Sequence, residues 1–337
     1  MIQRNEALLH NNWQKELANV VTDPIKLVQT LEIEDFFTEK DLQARQLFPM
    51  RVPWPFIHKM RKGDPNDPLL KQVMPAHQEF LQKAGYVKDP LLEQQSALPG
   101  LLHKYRSRVL VLLKTGCAVN CRYCFRRHFP YQDNQINKHG LQHTIDYIAN
   151  DNQINEVILS GGDPLMAKDD TIDWFMTHIE AIPHITRMRI HSRLPVVIPS
   201  RITESLCGRF KQSRLKIVFV NHINHANEID APFKQAMQKL KDANVMLLNQ
   251  AVLLKGINND AKSLCELSEA LFNTDILPYY LHLLDKVEGA SHFDIEEEEA
   301  RALIAEILTE LPGFLVPKLV REIGGKQSKT PIDLQLQ

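Results

Sequence analysis

From about residue 107 onward the chain alternates short, β-branched apolar runs with longer amphipathic stretches. The runs are RVLVLLK (108–114), EVILS (156–160), RMRIH (187–191), LKIVFV (215–220), NVMLLNQ (244–250) and YYLHLLD (279–285). Continuous apolar runs of this length suit strands buried on both faces, as in a parallel sheet. Three of the intervening stretches, 171–182, 201–212 and 230–243, carry apolar residues at helical spacing. Asp230 followed by Pro232 marks a helix start. Strands alternating with helices predict right-handed βαβ crossovers and therefore an α/β fold. Six such units form an open sheet or a partial barrel, in which ligands gather where strands end and loops begin. Cys117, Gly161, His191, Asn221, Gln250 and Asp285 fall at the ends of the six runs in order. One composite site is expected there.

Residues 1–100 read differently. Pro53, Pro55, Pro65, Pro68, Pro75, Pro90 and Pro99 break a mainly helical pattern into short pieces. This part is expected to be a cap on a core spanning 101–337. The run EEEE at 296–299 reads as a solvated first helical turn, favoured by the helix dipole.

Charge and composition mostly exclude. A net charge of -1 over 337 residues gives no field that would attract nucleic acid or an anionic membrane. The first residues lack the apolar run of a signal peptide, and no stretch of about 18 uncharged apolar residues occurs. The five cysteines are an odd number with three crowded together, which is no disulfide framework. A reducing, cytoplasmic setting is expected, where thiolates serve metals or catalysis.

The crowded cysteines stand in GCAVNCRYCFRRHF, with Cys117, Cys121 and Cys124 spaced C-x3-C-x2-C. Three thiolates on one loop can hold three corners of a four-iron, four-sulfur (4Fe-4S) cluster, leaving one iron open for a small chelating molecule. A closed zinc site is the alternative, with His128, Cys207 or Cys265 as fourth ligand.

CAVNCRYC resembles the radical S-adenosylmethionine (SAM) signature, with Tyr123 as its aromatic. SGGDPL (160–165) resembles the segment that contacts the SAM amino group in that superfamily, placing Gly161, Gly162 and Asp163 there. HKYRSRVL, HSRLPVVIPSRIT, VNHINHANE, LNQAVLLKGIN, PYYLHLLD and GGKQSKTP then follow in the order of the lysine 2,3-aminomutase family. The likeness covers roughly residues 100 to 331 and is nearest to the short bacterial branch that makes (R)-β-lysine for elongation factor P. The chain stops eight residues after Lys329, without the cysteine-bearing extension of the longer, catabolic members.

The resemblance implies a partial (βα)6 barrel, the cluster, SAM and pyridoxal 5′-phosphate (PLP). It places the PLP lysine at Lys329, in Lys329-Thr330-Pro331, with Lys326 as the nearby rival. By position, Lys104, Tyr105 and Arg108 match residues near the PLP phosphate, although Lys104 replaces the family's arginine. Gln250 matches a SAM neighbour. Arg126 matches the residue that pairs with the carboxylate of free L-lysine, a role suited to a guanidinium; Arg127 is adjacent. Asp285 and Glu322 match the pair that holds the distant ammonium, with Glu322 standing where the catabolic enzymes carry Asp. The implied reaction uses a 5′-deoxyadenosyl radical to move the lysine amino group from C2 to C3. Implied partners are a flavodoxin or ferredoxin reductant, and, downstream, elongation factor P with its lysyl-transferring ligase. The alternatives are an aminomutase for glutamate or arginine, or a noncatalytic zinc module.

Overall fold

Among the described residues, nine strands form one sheet in which strand order follows chain order. The computed structural model describes residues 12–94, 98–135 and 137–335. The strands are β1 (Leu101–Tyr105), β2 (Arg108–Lys114), β3 (Glu156–Gly161), β4 (Arg187–Ser192), β5 (Lys216–His222), β6 (Met246–Val252), β7 (Leu277–His282), β8 (Lys318–Arg321) and β9 (Thr330–Pro331). Strands β2 to β8 are parallel, and β1 and β9 are antiparallel edges.

Helices α1 (Lys138–Ala149), α2 (Asp169–Glu180), α3 (Glu204–Lys211), α4 (Ala231–Asp242), α5 (Ala261–Phe272) and α6 (Glu297–Glu310) follow β2 to β7 in turn, completing six βα units. Helix α4 shows why they form. The Asp230 carboxylate caps it by accepting from the Phe233 amide at 3.0 Å, and Pro232 sits in its first turn. Phe233, Ala236, Met237 and Leu240 make one buried stripe, while the lysines between them face water. Full burial of each large apolar side chain contributes about 1.5–3 kcal/mol.

The period-two alternation of the strands sorts residues between two environments. Val157, Leu159, Met188, Ile190, Ile217 and Phe219 join the main core. Ile158, Ser160, His191, His222, Gln250 and His282 line one cavity of about 1110 Å³. Inward residues from β2 to β7 share this cavity, so the sheet curls around it as a partial barrel.

Three details differ from the sequence expectation. Lys104 and Tyr105 do not merely precede the sheet; they belong to β1, paired with β2 in a hairpin. Leu283–Asp285 lie beyond the end of β7, so Asp285 stands on a loop. Asn221 is buried away from the cavity, with Nδ2 donating to Leu248 O, and its neighbour His222 faces inward instead. One step along a strand exchanges the two faces.

The first eleven residues of the expected cap lie outside the described residues. Beyond them, helices Asn12–Ala18 and Pro24–Leu31 and several shorter turns send Trp13, Leu27, Phe56 and Leu69 into the same core as the strands. Buried polar contacts join this region to the sheet loops as well. The Lys59 ammonium donates to Val196 O and Glu228 O at 2.9 and 2.8 Å. Glu296 stands at the N-cap position of α6 without a capping side-chain hydrogen bond; the first turn is acidic, and Glu297 pairs with Arg301 and Arg321.

Candidate active site

The loop after β2 carries Cys117, Cys121 and Cys124 along one wall of the cavity. Its backbone is tied outward, with Asn120 N donating to Arg51 O and Arg122 N to Gln72 O. Arg122 is fully buried and donates to both oxygens of Glu79, at 2.8 and 2.5 Å. Arg127 Nη2 adds a third donor to Glu79 at 2.7 Å, while its Nη1 reaches Arg122 O and Gly289 O. Arg127 therefore anchors the loop, and it also lines the cavity.

Arg193, just past β4, reaches the cysteines from the other side. Its Nη1 donates to Cys121 Sγ at 2.7 Å and to the Tyr123 hydroxyl at 2.6 Å. Its Nη2 donates to Gln72 Oε1 and Glu228 Oε2. Burial, followed by the neighbouring Asp163 and the other two sulfurs, pushes the Cys117 thiol well up. Burial pushes Cys124 up to about 11. Cys117 and Cys124 are thus held as thiols, and metal binding has to release their protons.

The segment after β3 seals this wall. Gly161 sits at φ 115°, a conformation open to glycine. A Cβ on Gly162 would stand 2.5 Å from Gly116 O, so only glycine lets this backbone lie against the base of the cysteine loop. Asp163 is buried, and its carboxylate accepts from the Ser192 hydroxyl and from the amides of Leu165, Arg193 and Leu194. It binds the β3 and β4 loops together. All four of these donors belong to the protein, and Asp163 also lines the cavity.

Farther into the cavity lies a ribbon of alternating charge. Lys329 Nζ donates to Glu322 Oε2 at 2.7 Å, and Lys104 Nζ reaches Glu322 Oε1 at 3.4 Å and Glu93 Oε1 at 3.0 Å. Arg126 Nε donates to Glu93 Oε2 at 2.7 Å, and its Nη1 to Ser160 Oγ and Gly161 O, both at 3.3 Å. The Tyr105 hydroxyl donates to Glu322, and the Arg108 guanidinium lies 3.8 Å from the Tyr105 ring centre. Asp285 faces the same space, and burial beside Glu322 raises its carboxyl to about 7. Burial also works against ionisation of Glu322, but the Lys329 and Lys104 ammoniums outweigh it and hold that carboxyl at about 2.

Between the two ends stand His191, His222 and His282, all lining the cavity and kept neutral by burial. His222 Nε2 lies 2.9 Å from Gln250 Nε2. Among the described residues, His191 Nε2 and His282 Nε2 have no hydrogen-bond partner. Buried polar atoms without partners are costly in an otherwise finished interior, and suit a chamber built to receive a polar guest.

The cavity thus gathers Cys117, Cys121, Cys124, Tyr123, Gly161, Gly162, Asp163, Gln250, Lys104, Tyr105, Arg108, Arg126, Asp285, Glu322 and Lys329. Lys326 is exposed and stands outside its lining. So do His128, which contacts Glu288 O, Cys207 in α3 and Cys265 in α5. The Asn249 side chain, next to Gln250, bonds the Ile223 backbone instead of lining the cavity. Sequence reasoning assigned no role to Glu93, Gln72 or Arg193. Gln72 and Glu93 come from the irregular N-terminal region, and burial of a polar side chain leaves no periodic trace. Arg193 stands within the quoted HSRLP motif.

The donor set fits an iron–sulfur cube. Among the described residues no three His, Cys, Asp or Glu side chains close around a single ion. A cube binds each thiolate at a different iron, so its three sulfurs need not converge on one point. The chamber exceeds the roughly 300–1,000 Å³ typical of a pocket for one small ligand, and an amine, cations and carboxylates face the same space.

Residues 111–267 match the Radical SAM superfamily. The chain is 56% identical to an L-lysine 2,3-aminomutase of Escherichia coli, covering 97% of this chain and 96% of the relative. It is 55% identical to the L-lysine 2,3-aminomutase of Haemophilus influenzae, covering 95% of each. A glutamate 2,3-aminomutase of Clostridioides difficile is 31% identical, with 96% of this chain and 76% of that protein covered. No helix among the described residues is long and apolar enough to cross a membrane. The chain belongs to the L-lysine 2,3-aminomutase family of radical SAM isomerases.

Proposed function

We propose that this protein moves the amino group of free L-lysine from C2 to C3, using a 4Fe-4S cluster, SAM and PLP. The observation that carries this reading is a single chamber with three thiols on one wall and a lysine amine, a buried arginine and two carboxylates farther in. When bound, the cluster and SAM supply a hydrogen-abstracting radical, and PLP supplies an electron sink for the migrating nitrogen.

The protein's own work is holding and orienting. Cys117, Cys121 and Cys124 hold the cluster, and Arg193 donates to the Cys121 sulfur. Tyr123 buttresses that contact. Backbone at Gly161 and Gly162 lies open to the methionine end of SAM, Asp163 braces the loop behind it, and Gln250 with His222 lines the adjacent wall. Lys329 carries PLP, with Lys104, Tyr105 and Arg108 at the phosphate end. Lys329 would hold PLP from the amine that stands beside Glu322. Glu322 and Asp285 are offered to the substrate's distal ammonium, while Arg126 receives its carboxylate. Charge at both ends measures the length of lysine, and two carboxylates at the distal end repel a glutamate side chain.

The core of 101–337 is the catalytic unit in this reading and the region before it the cap. The product is (R)-β-lysine, destined for post-translational attachment to elongation factor P by its lysyl-transferring ligase. Electrons come from a cytoplasmic flavodoxin or ferredoxin.

The test is anaerobic incubation of reconstituted protein with L-lysine, SAM, PLP and reductant, followed by chiral analysis, with L-arginine run in parallel. The expected outcome is β-lysine and no β-arginine. Lys329→Ala should lose both the product and the visible band of lysine-bound PLP, and Lys326→Ala should keep both. Loss of the band in Lys326→Ala instead refutes the assignment.

A further inference from the structure

Glu93 lies before β1, outside every strand and helix of the barrel, yet it is 5% exposed and faces the chamber. Its two oxygens serve two cations. Oε2 accepts from Arg126 Nε at 2.7 Å, and Oε1 accepts from Lys104 Nζ at 3.0 Å. With Nε held by Glu93 and Nη1 by Ser160 and Gly161, the Arg126 guanidinium cannot turn about its long axis. Among the described residues nothing accepts from its Nη2. An incoming carboxylate is therefore limited to Nη2, because Nε and Nη1 are already engaged.

The same carboxylate decides where Lys104 stands. An ammonium has three donors. Glu93 and Glu322 engage two, and the third is left for an anion in the chamber. Without a negative charge between them, two buried cations would repel each other and drift apart.

We propose that Glu93 is a positioning residue, fixing the direction of the substrate-carboxylate donor Arg126 and its spacing from Lys104. This rests on the roles given to Arg126 and Lys104 above. The opposite role from the same contact is that of an internal plug that the substrate carboxylate must displace. The two differ in sign. Removing a positioning residue weakens lysine binding, and removing a plug strengthens it.

The experiment compares wild type with Glu93→Gln, which keeps size and one acceptor oxygen, and Glu93→Asp, which keeps charge but withdraws it. For Glu93→Gln the KM for lysine should rise about tenfold, equivalent to about 1.4 kcal/mol of lost binding. Its kcat should stay near wild type, and Glu93→Asp should fall between. PLP affinity of the cofactor-free protein, titrated by fluorescence without turnover, should weaken in the same order. A KM that is unchanged or lower in Glu93→Gln, with PLP affinity intact, overturns the proposal. So does a variant whose only change is a lower melting temperature. The PLP titration needs no catalysis. Absence of β-lysine from wild type would therefore count against the proposed reaction, while the titration still judges Glu93.

Discussion

The amine of Lys329 stands 2.7 Å from the carboxylate of Glu322, and this contact divides the protonation of two neighbouring acids. Glu322 is held at about 2 against its own burial, while burial and the charge of Glu322 lift Asp285 to about 7. A substrate ammonium needs Asp285 ionised. Below pH 7 the free protein carries a proton there that binding must expel. Lysine affinity should therefore fall roughly tenfold for each unit below that point. It should level off above it. A titration of KM against pH checks this, and Asp285→Asn should bind weakly at every pH and lose the inflection.

Only the three cavity cysteines should matter for the cluster. Changing Cys117, Cys121 or Cys124 to Ser should abolish the broad brown absorption of anaerobically reconstituted protein and reduce turnover to background. Cys207→Ser and Cys265→Ser, on helices outside the sheet, should retain both.

Arg193 should tune the cluster electronically. Its Nη1 hydrogen bond to Cys121 Sγ stabilises negative charge on that sulfur and favours the reduced cluster. Arg193→Met removes the donor and the cation together, so the midpoint potential should become more negative. A redox titration followed by electron paramagnetic resonance reads this directly. An unchanged potential would limit Arg193 to packing.

Glu79 neutralises both Arg122 and Arg127 in a site closed to water. Glu79→Gln leaves two buried guanidiniums without a counter-charge, a lesion worth about 3–5 kcal/mol. Urea unfolding should show that loss, and the variant should retain less iron after reconstitution because the cysteine loop has lost its anchor.

The sequence revealed the parts of this molecule whose physics is local. Strands β2 to β7 pack against the outer helices on one face and line the chamber on the other; β2, β3 and β5 read as nearly continuous apolar runs, while β4, RMRIHS, alternates. The edges escaped notice: β1 reads LLHKY, β8 has four residues and β9 two, too short and mixed to show a period. The cysteine spacing and the paired glycines were likewise visible, because each works through backbone close at hand. Lys329 and Glu322 were found through family likeness; without it they read as a solvated tail lysine and a surface charge, whereas Asp285 was marked by its place at the end of the sixth run and took its role from the likeness. Glu93 escaped because its partners, Lys104 and Arg126, lie 11 and 33 residues away, and nothing local marks a carboxylate destined for burial. Asp163 escaped in a different way: its motif was recognised, but three of its four donors, Ser192, Arg193 and Leu194, come from the end of β4 and the loop after it.

The most direct measurement is electron paramagnetic resonance on oxygen-protected, reduced protein, with metal analysis, before and after adding SAM. The account predicts roughly four irons per chain. It also predicts an iron–sulfur signal that changes shape when SAM is added, because the open iron takes up its amino and carboxylate groups. Bound zinc in place of iron, or a signal indifferent to SAM, would contradict it.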